Sequence, residues 1–138
     1  MAKAALVVDD SAIAREFLID IVKRLGLHPI RQAENGVEGL DVVRTFQPDV
    51  VFLDIEMPVM GGLEALKEIR KFDRRALIVM MTSIASPEVV RACIDGGTDY
   101  YVLKDLPEEK IEARLRQILS QPARLHGTGT SRPPSASR

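Results

Sequence analysis

The chain contains no tryptophan, a single cysteine (Cys93) and two histidines among its 138 residues. Each shortage excludes something. One cysteine rules out a disulfide framework within the chain and fits a reducing compartment. Without tryptophan, no indole is available to stack on a flavin ring. His28 and His126 have no partners at metal-ligand spacing, so a histidine-based metal centre is not expected. No apolar run approaches membrane-spanning length. The start, MAKAALVVDD, carries Lys3 before an apolar stretch, but Asp9 and Asp10 end it too soon for a secretion signal. A cytoplasmic location is expected. The formal charge of −1 gives no bulk attraction to nucleic acid or membrane.

What is present is a regular alternation. Short apolar runs at Ala4–Val8, His28–Ala33, Val50–Leu53, Leu77–Met81 and Tyr100–Leu103 read as strands. Between and after them, apolar residues recur at helical spacing: Ile13, Phe17, Ile21 and Leu25; Val37, Leu40 and Val43; Leu63, Leu66 and Ile69; Ile111, Leu115 and Ile118. Ser86-Pro87-Glu88 and Leu106-Pro107-Glu108 read as helix starts, and Gly96-Gly97 as a stop. Strand-then-helix repeats imply an α/β fold with a parallel sheet, right-handed crossovers and helices on both faces. The second strand carries Pro29 and polar residues, which suits an edge. The expected architecture is a flavodoxin-like, doubly wound five-stranded sheet in the order 2-1-3-4-5. Residues 1–120 form one domain. Residues 121–138, rich in Pro, Ser, Gly and Thr with Arg124, Arg132 and Arg138 and no acid, read as a disordered basic tail or linker.

In such a sheet, ligands bind at the carboxyl ends of the strands near the switch in order. Asp9 and Asp10 follow the first strand, and Asp54 follows the third, its neighbour. Three carboxylates therefore converge on one crevice, and a hard divalent cation relieves their repulsion. Thr82 and Lys104 follow the fourth and fifth strands, adding a hydroxyl and a fixed positive charge. Alone, each has a plainer reading: a solvated turn, a capping hydroxyl or a surface lysine. Together they describe a phosphoryl site in which a carboxylate, Asp54, attacks.

The stretches LVVDDSAIAREFL, PDVVFLDIEMPVMGGLEAL, IVMMTS and YYVLKD resemble the receiver domain of two-component response regulators, over Met1 to about Ser120. The resemblance implies that Asp54 accepts a phosphoryl group from a sensor histidine kinase or a histidine phosphotransfer protein. It implies that Asp10 ligates Mg²⁺ (Mn²⁺ being an acceptable substitute), that Asp9 supports it through water, that Asp54 shares in the metal site, and that the Glu56 carbonyl is a further ligand. Thr82 would move toward the phosphoryl group, Lys104 would pair with it, and Tyr101 would be the switch aromatic. Glu56 and Ile84, each two residues past a site residue, would set the phosphoryl lifetime. A downstream effector would bind the Pro87–Ser120 surface, without direct binding to nucleic acid or membrane. The resemblance also allows a phosphorylation-dependent dimer. Such a domain signals through its own phosphoryl transfer and autodephosphorylation rather than acting as a turnover enzyme.

Two places depart from the family pattern. Asp105 stands where the family usually has Pro after the lysine, and Met60-Gly61-Gly62 replaces Met-Asp-Gly. The first predicts an atypical response of the lysine loop, the second a looser start to the third helix. The DIEMPVMGGLEAL stretch also resembles the receivers of chemotaxis methylesterases, so a piece of a longer regulator and a stand-alone receiver both fit. Other readings are a pseudo-receiver that binds partners without phosphorylation, and a small haloacid-dehalogenase-type phosphatase. The latter needs Asp where Glu56 stands. A flavodoxin is disfavoured because Asp9 and Asp10 would repel the flavin phosphate. Cys93 reads as a small buried hydrophobe, and Met57, Met60, Met80 and Met81 as core or loop fillers.

Overall fold

A computed structural model of the chain describes residues 3–84 and 86–121. The predicted tail, with His126, lies outside the described residues apart from Gln121. Five strands, β1 (Ala5–Val8), β2 (Ile30–Ala33), β3 (Val50–Asp54), β4 (Leu77–Thr82) and β5 (Tyr100–Leu103), alternate with α1 (Ala12–Arg24), α2 (Gly36–Phe46), α3 (Gly62–Arg70), α4 (Pro87–Gly96) and α5 (Glu108–Leu119). The sheet order is β2-β1-β3-β4-β5 and every pairing is parallel. The expected topology is therefore the one observed, with β2 at an edge.

Side chains alternate across a strand, and here both faces are covered, which is why the central strands read as unbroken apolar runs. Ala5, Val7, Phe52, Val79 and Val102 pack with Leu18, Ile21 and Val22 of α1 and Ile111, Leu115 and Ile118 of α5. Leu6, Val8, Val51, Leu53, Ile78 and Met80 pack on the other face with Leu40, Val43, Leu66, Ile69 and Cys93. Burial pushes the Cys93 thiol up to about 11, in keeping with an inert core residue.

The structure corrects several expectations. β2 begins at Ile30, so His28 and Pro29 precede it, while Asp54 and Thr82 are the last residues of their strands rather than the first beyond them. Backbone pairing continues one residue past the apolar run: Asp54 registers with Met81 and Thr82 with Leu103. On α1, Ile13 is 81% exposed and Phe17 40% exposed, and Val37 on α2 is also exposed. Pro107 sits at the N-cap of α5 rather than inside its first turn, and makes no side-chain cap. Ser86 caps α4 through Val89 N–H, and Gly97 ends it at φ 102°, where glycine carries no Cβ penalty. Among the described residues, no helix is long and apolar enough to cross a membrane.

Candidate functional site

The carboxyl ends of β1, β3, β4 and β5 bring the predicted residues to one mouth. Asp9 directly follows β1 and Asp54 ends the adjacent β3. Carboxylate oxygens of Asp9, Asp10 and Asp54 all lie within 4.8 Å of one another. Asp9 and Asp54 are buried and Asp10 is exposed. The backbone places Asp9 firmly: its N–H donates to Ala33 O at 3.1 Å, and its Oδ1 accepts from Ser11 N–H at 2.9 Å. Ser11 in turn caps α1, accepting from Ala14 N–H.

Lys104 completes the cluster from the far side of the sheet. Its N–H donates to Thr82 O at 2.8 Å, which fixes where the side chain starts. Its Nζ lies 2.8 Å from Asp9 Oδ2 and 3.3 Å from Asp54 Oδ1. One ammonium thus faces two of the three carboxylates. Burial, then the neighbouring Asp9 charge, pushes the Asp54 carboxyl up to about 6, against the pull of Lys104. Burial opposes the charge on Lys104, but its hydrogen bond to Asp9 and the charges of Asp54 and Asp9 outweigh that and raise its pKa. The replacement of Pro by Asp105 does not take the lysine out of the site.

Thr82 is 1% exposed, and its Oγ1 accepts from Ile84 N–H at 2.9 Å. The Tyr101 hydroxyl, on β5, donates to Ile84 O. Ile84 is half-buried between them, and Glu56 is exposed on the loop after β3. That loop returns tightly: Gly62 N–H donates to Ile55 O at 2.8 Å, and Gly36 N–H donates to Met60 O at 2.9 Å. A Cβ on Gly62 would lie 2.1 Å from Asp54 O, so no larger residue fits there. Gly61 is the N-cap of α3 and makes no side-chain cap bond.

Sequence reading missed three features. Arg15 Nη1 donates to Asp9 O at 2.7 Å and Arg15 Nε to Gln32 Oε1 at 2.9 Å. Val59, at the tip of the β3–α3 loop, holds φ 69° while 81% exposed. An open apolar cavity of about 290 Å³ adjoins Lys104, walled by Ile13, Ala14, Phe17, Met81 and Ile111. Only the third left a signal, in Ile13 and Phe17 of the α1 apolar ladder.

The donor set suits a hard divalent cation. It consists of carboxylate oxygens, it carries unbalanced negative charge, and one of its members is held above its ordinary pKa by burial beside like charge.

Comparison with known proteins agrees with the geometry. The family model described as "Response regulator receiver domain" matches residues 5–116. A chemotaxis protein CheY of Halobacterium salinarum is 36% identical over 120 residues, covering 87% of this chain and 99% of that protein. A protein-glutamate methylesterase/protein-glutamine glutaminase of the same organism is 34% identical over 134 residues, 88% of this chain but only 38% of its own length. Among solved structures, a CheX-CheY-BeF3-Mg complex from Borrelia burgdorferi aligns with a TM-score of 0.79 at 28% identity, over 86% of this chain and 90% of that one. The chain belongs to the response regulator receiver domain family, the phosphoryl-receiving signalling unit of two-component systems.

Proposed function

We propose that Asp54 is the phosphoacceptor of this receiver, and that the observation carrying this role is the Lys104 ammonium set between Asp9 Oδ2 and Asp54 Oδ1. A carboxylate oxygen of Asp54 attacks the phosphorus of a phosphohistidine on a sensor kinase or phosphotransfer protein. An O–P bond forms, the P–N bond breaks, and the imidazole leaves with the electron pair and then takes a proton. Lys104 turns from Asp54 to a phosphoryl oxygen. Thr82 Oγ1 exchanges its Ile84 partner for a second phosphoryl oxygen and donates to it.

Asp10, Asp54 and the Glu56 carbonyl would hold Mg²⁺, or Mn²⁺, with Asp9 in support, and the bound ion would offset the charge of the phosphoryl oxygens. The Borrelia CheY neighbour, whose complex contains BeF3 and Mg, supports that assignment. Water attack on phosphorus breaks the Asp54 O–P bond, releases inorganic phosphate and returns the free carboxylate, with Glu56 and Ile84 setting the rate.

Exposed Ile13 and Phe17 stand next to the mouth. They offer an apolar landing for the phosphodonor within reach of Asp54. The output runs the other way, through Ile84 and Tyr101 to the Pro87–Ser120 surface. There an open groove of about 490 Å³ carries Tyr101, Leu103, Leu106, Lys110 and Arg114. Phosphate favours one of two packings of that face, and a cytoplasmic effector reads the shift.

The experiment is intact mass after incubation with Mg²⁺ and acetyl phosphate, beside Asp54→Asn. One added phosphoryl group that requires Mg²⁺ and is absent from the variant is the expected result. No adduct, together with no beryllofluoride binding, would turn the reading toward a receiver that binds partners without phosphorylation.

A further inference from the structure

Of the three carboxylates at the mouth, two are held by direct contacts. Asp9 is gripped through both oxygens, by Ser11 N–H and Lys104 Nζ, and Asp54 lies against the same ammonium. Among the described residues the exposed Asp10 carboxylate receives no such contact. Its direction is set by its backbone, and so by the peptide that joins it to Asp9. One side chain grips that peptide: Arg15 Nη1 donates to Asp9 O at 2.7 Å.

We propose that Arg15 is a positioning residue of the acid cluster: held by Gln32 on β2, its guanidinium clamps the Asp9 carbonyl and so fixes the direction in which Asp10 presents its carboxylate to a divalent cation. The proposal rests on the cation site read above. Arg15 lies on the first turn of α1, with Gln32 across from it on β2, whose register with β1 pairs Val7 with Gln32. The guanidinium is planar and offers several donors in a fixed fork. Here Nε goes to Gln32 and Nη1 to the carbonyl. Both partners are neutral, and among the described residues Arg15 makes no ion pair. Charge pairing therefore does not explain where the guanidinium sits. A lysine could reach one partner but not span both.

Groups that orient metal ligands from behind typically change affinity by about tenfold or more when removed. The opposite sign follows if Arg15 acts only through its charge. Deleting a cation beside three carboxylates would then tighten divalent-cation binding. The two roles are separable by direction.

The test is Mg²⁺ affinity of the whole chain, without phosphodonor, by titration calorimetry at fixed pH and ionic strength, with the thermal midpoint measured alongside. Arg15→Met and Arg15→Lys should both weaken Mg²⁺ binding, by about tenfold, and Gln32→Leu should weaken it less. If Arg15→Met does not fold, Arg15→Lys and Gln32→Leu carry the same comparison. Unchanged affinity in folded variants, or tighter binding in Arg15→Met, would overturn the proposal. A wild-type chain that binds no Mg²⁺ overturns the cation site and this role with it. A chain that binds Mg²⁺ but takes no phosphoryl group removes only the phosphoacceptor reading, and the Arg15 comparison still decides.

Discussion

The Tyr101 hydroxyl donates to the backbone carbonyl of Ile84, whose own N–H is held by Thr82 Oγ1 at 2.9 Å. The Ile84 residue is therefore gripped from both sides, by a side chain at the carboxyl end of β4 and by one on β5. Releasing either grip frees the loop that leads into α4.

That arrangement predicts coupling. Thr82→Ala leaves the Ile84 N–H without its partner, and Tyr101→Phe leaves the carbonyl without one. Each should cost about 0.5–2 kcal/mol. Because both bonds hold one short segment, the double variant should lose less than the sum, by about 0.5 kcal/mol or more. Urea denaturation of the four proteins measures this, and additivity within about 0.3 kcal/mol would sink the idea.

The Asp54 carboxyl gives a pH prediction for the metal-free chain. Its pKa rises from an ordinary 3.8 to about 6 in the fold, chiefly through burial. A raised acid pKa means that the folded state favours the protonated form. The stability this group contributes is fully present below about 3.8 and is lost as pH rises through about 6. Asp54→Asn should therefore stabilise the metal-free protein at pH 7.5, on the order of 1–3 kcal/mol. The gain should shrink through pH 6 and largely vanish near pH 4. Thermal midpoints of both proteins across that range test it. A gain that stays constant with pH would mean that Asn helps by some other route. Saturating Mg²⁺ should remove the gain at pH 7.5 by stabilising the wild type alone.

Much of this fold could be read directly, because a sheet covered on both faces writes itself as apolar runs. The site followed from the fold, since Asp9, Asp10, Asp54, Thr82 and Lys104 all fall where strands end. The face of α1 was harder. Ile13, Phe17, Ile21 and Leu25 are spaced by four, and each such step advances about 40° around a helix. The ladder winds off the core, and Leu18 and Val22 replace Ile13 and Phe17 in it. Arg15 could not be found from sequence, because its role depends on β2 bringing Gln32 alongside. The need for Gly62 was equally hidden, as it arises from a loop folding back onto the Asp54 carbonyl. The expectation of a looser start to α3 concerned Gly61, which stands where the family usually has Asp and gives the helix no side-chain cap.

Val59 predicts a gain. A β-branched residue at φ 69° is strained, and this one is 81% exposed and so loses little packing if changed. Asparagine tolerates the left-handed region without the chain entropy of glycine. Val59→Asn should stabilise by about 0.5–1.5 kcal/mol, whereas Val59→Ile should not. A midpoint that does not rise in Val59→Asn would show that the loop carries no strain at this residue.

The two adjacent glycines should behave differently. At Gly62 an added Cβ would meet Asp54 O at 2.1 Å and Ile55 Cα at 2.8 Å, both backbone atoms that cannot swing away. At Gly61 the nearest atom is Ile55 O at 3.2 Å, and φ of −76° is open to any residue. Gly61→Ala should therefore change stability by less than about 1 kcal/mol. Gly62→Ala should cost about 2 kcal/mol or more, and should also slow acetyl phosphate labelling of the folded fraction, because the backbone it displaces is that of Asp54. Denaturation curves and intact-mass labelling on both variants make the comparison. Equal behaviour of the two would show that the β3–α3 loop relaxes freely and that Asp54 is not held by the close approach of Gly62.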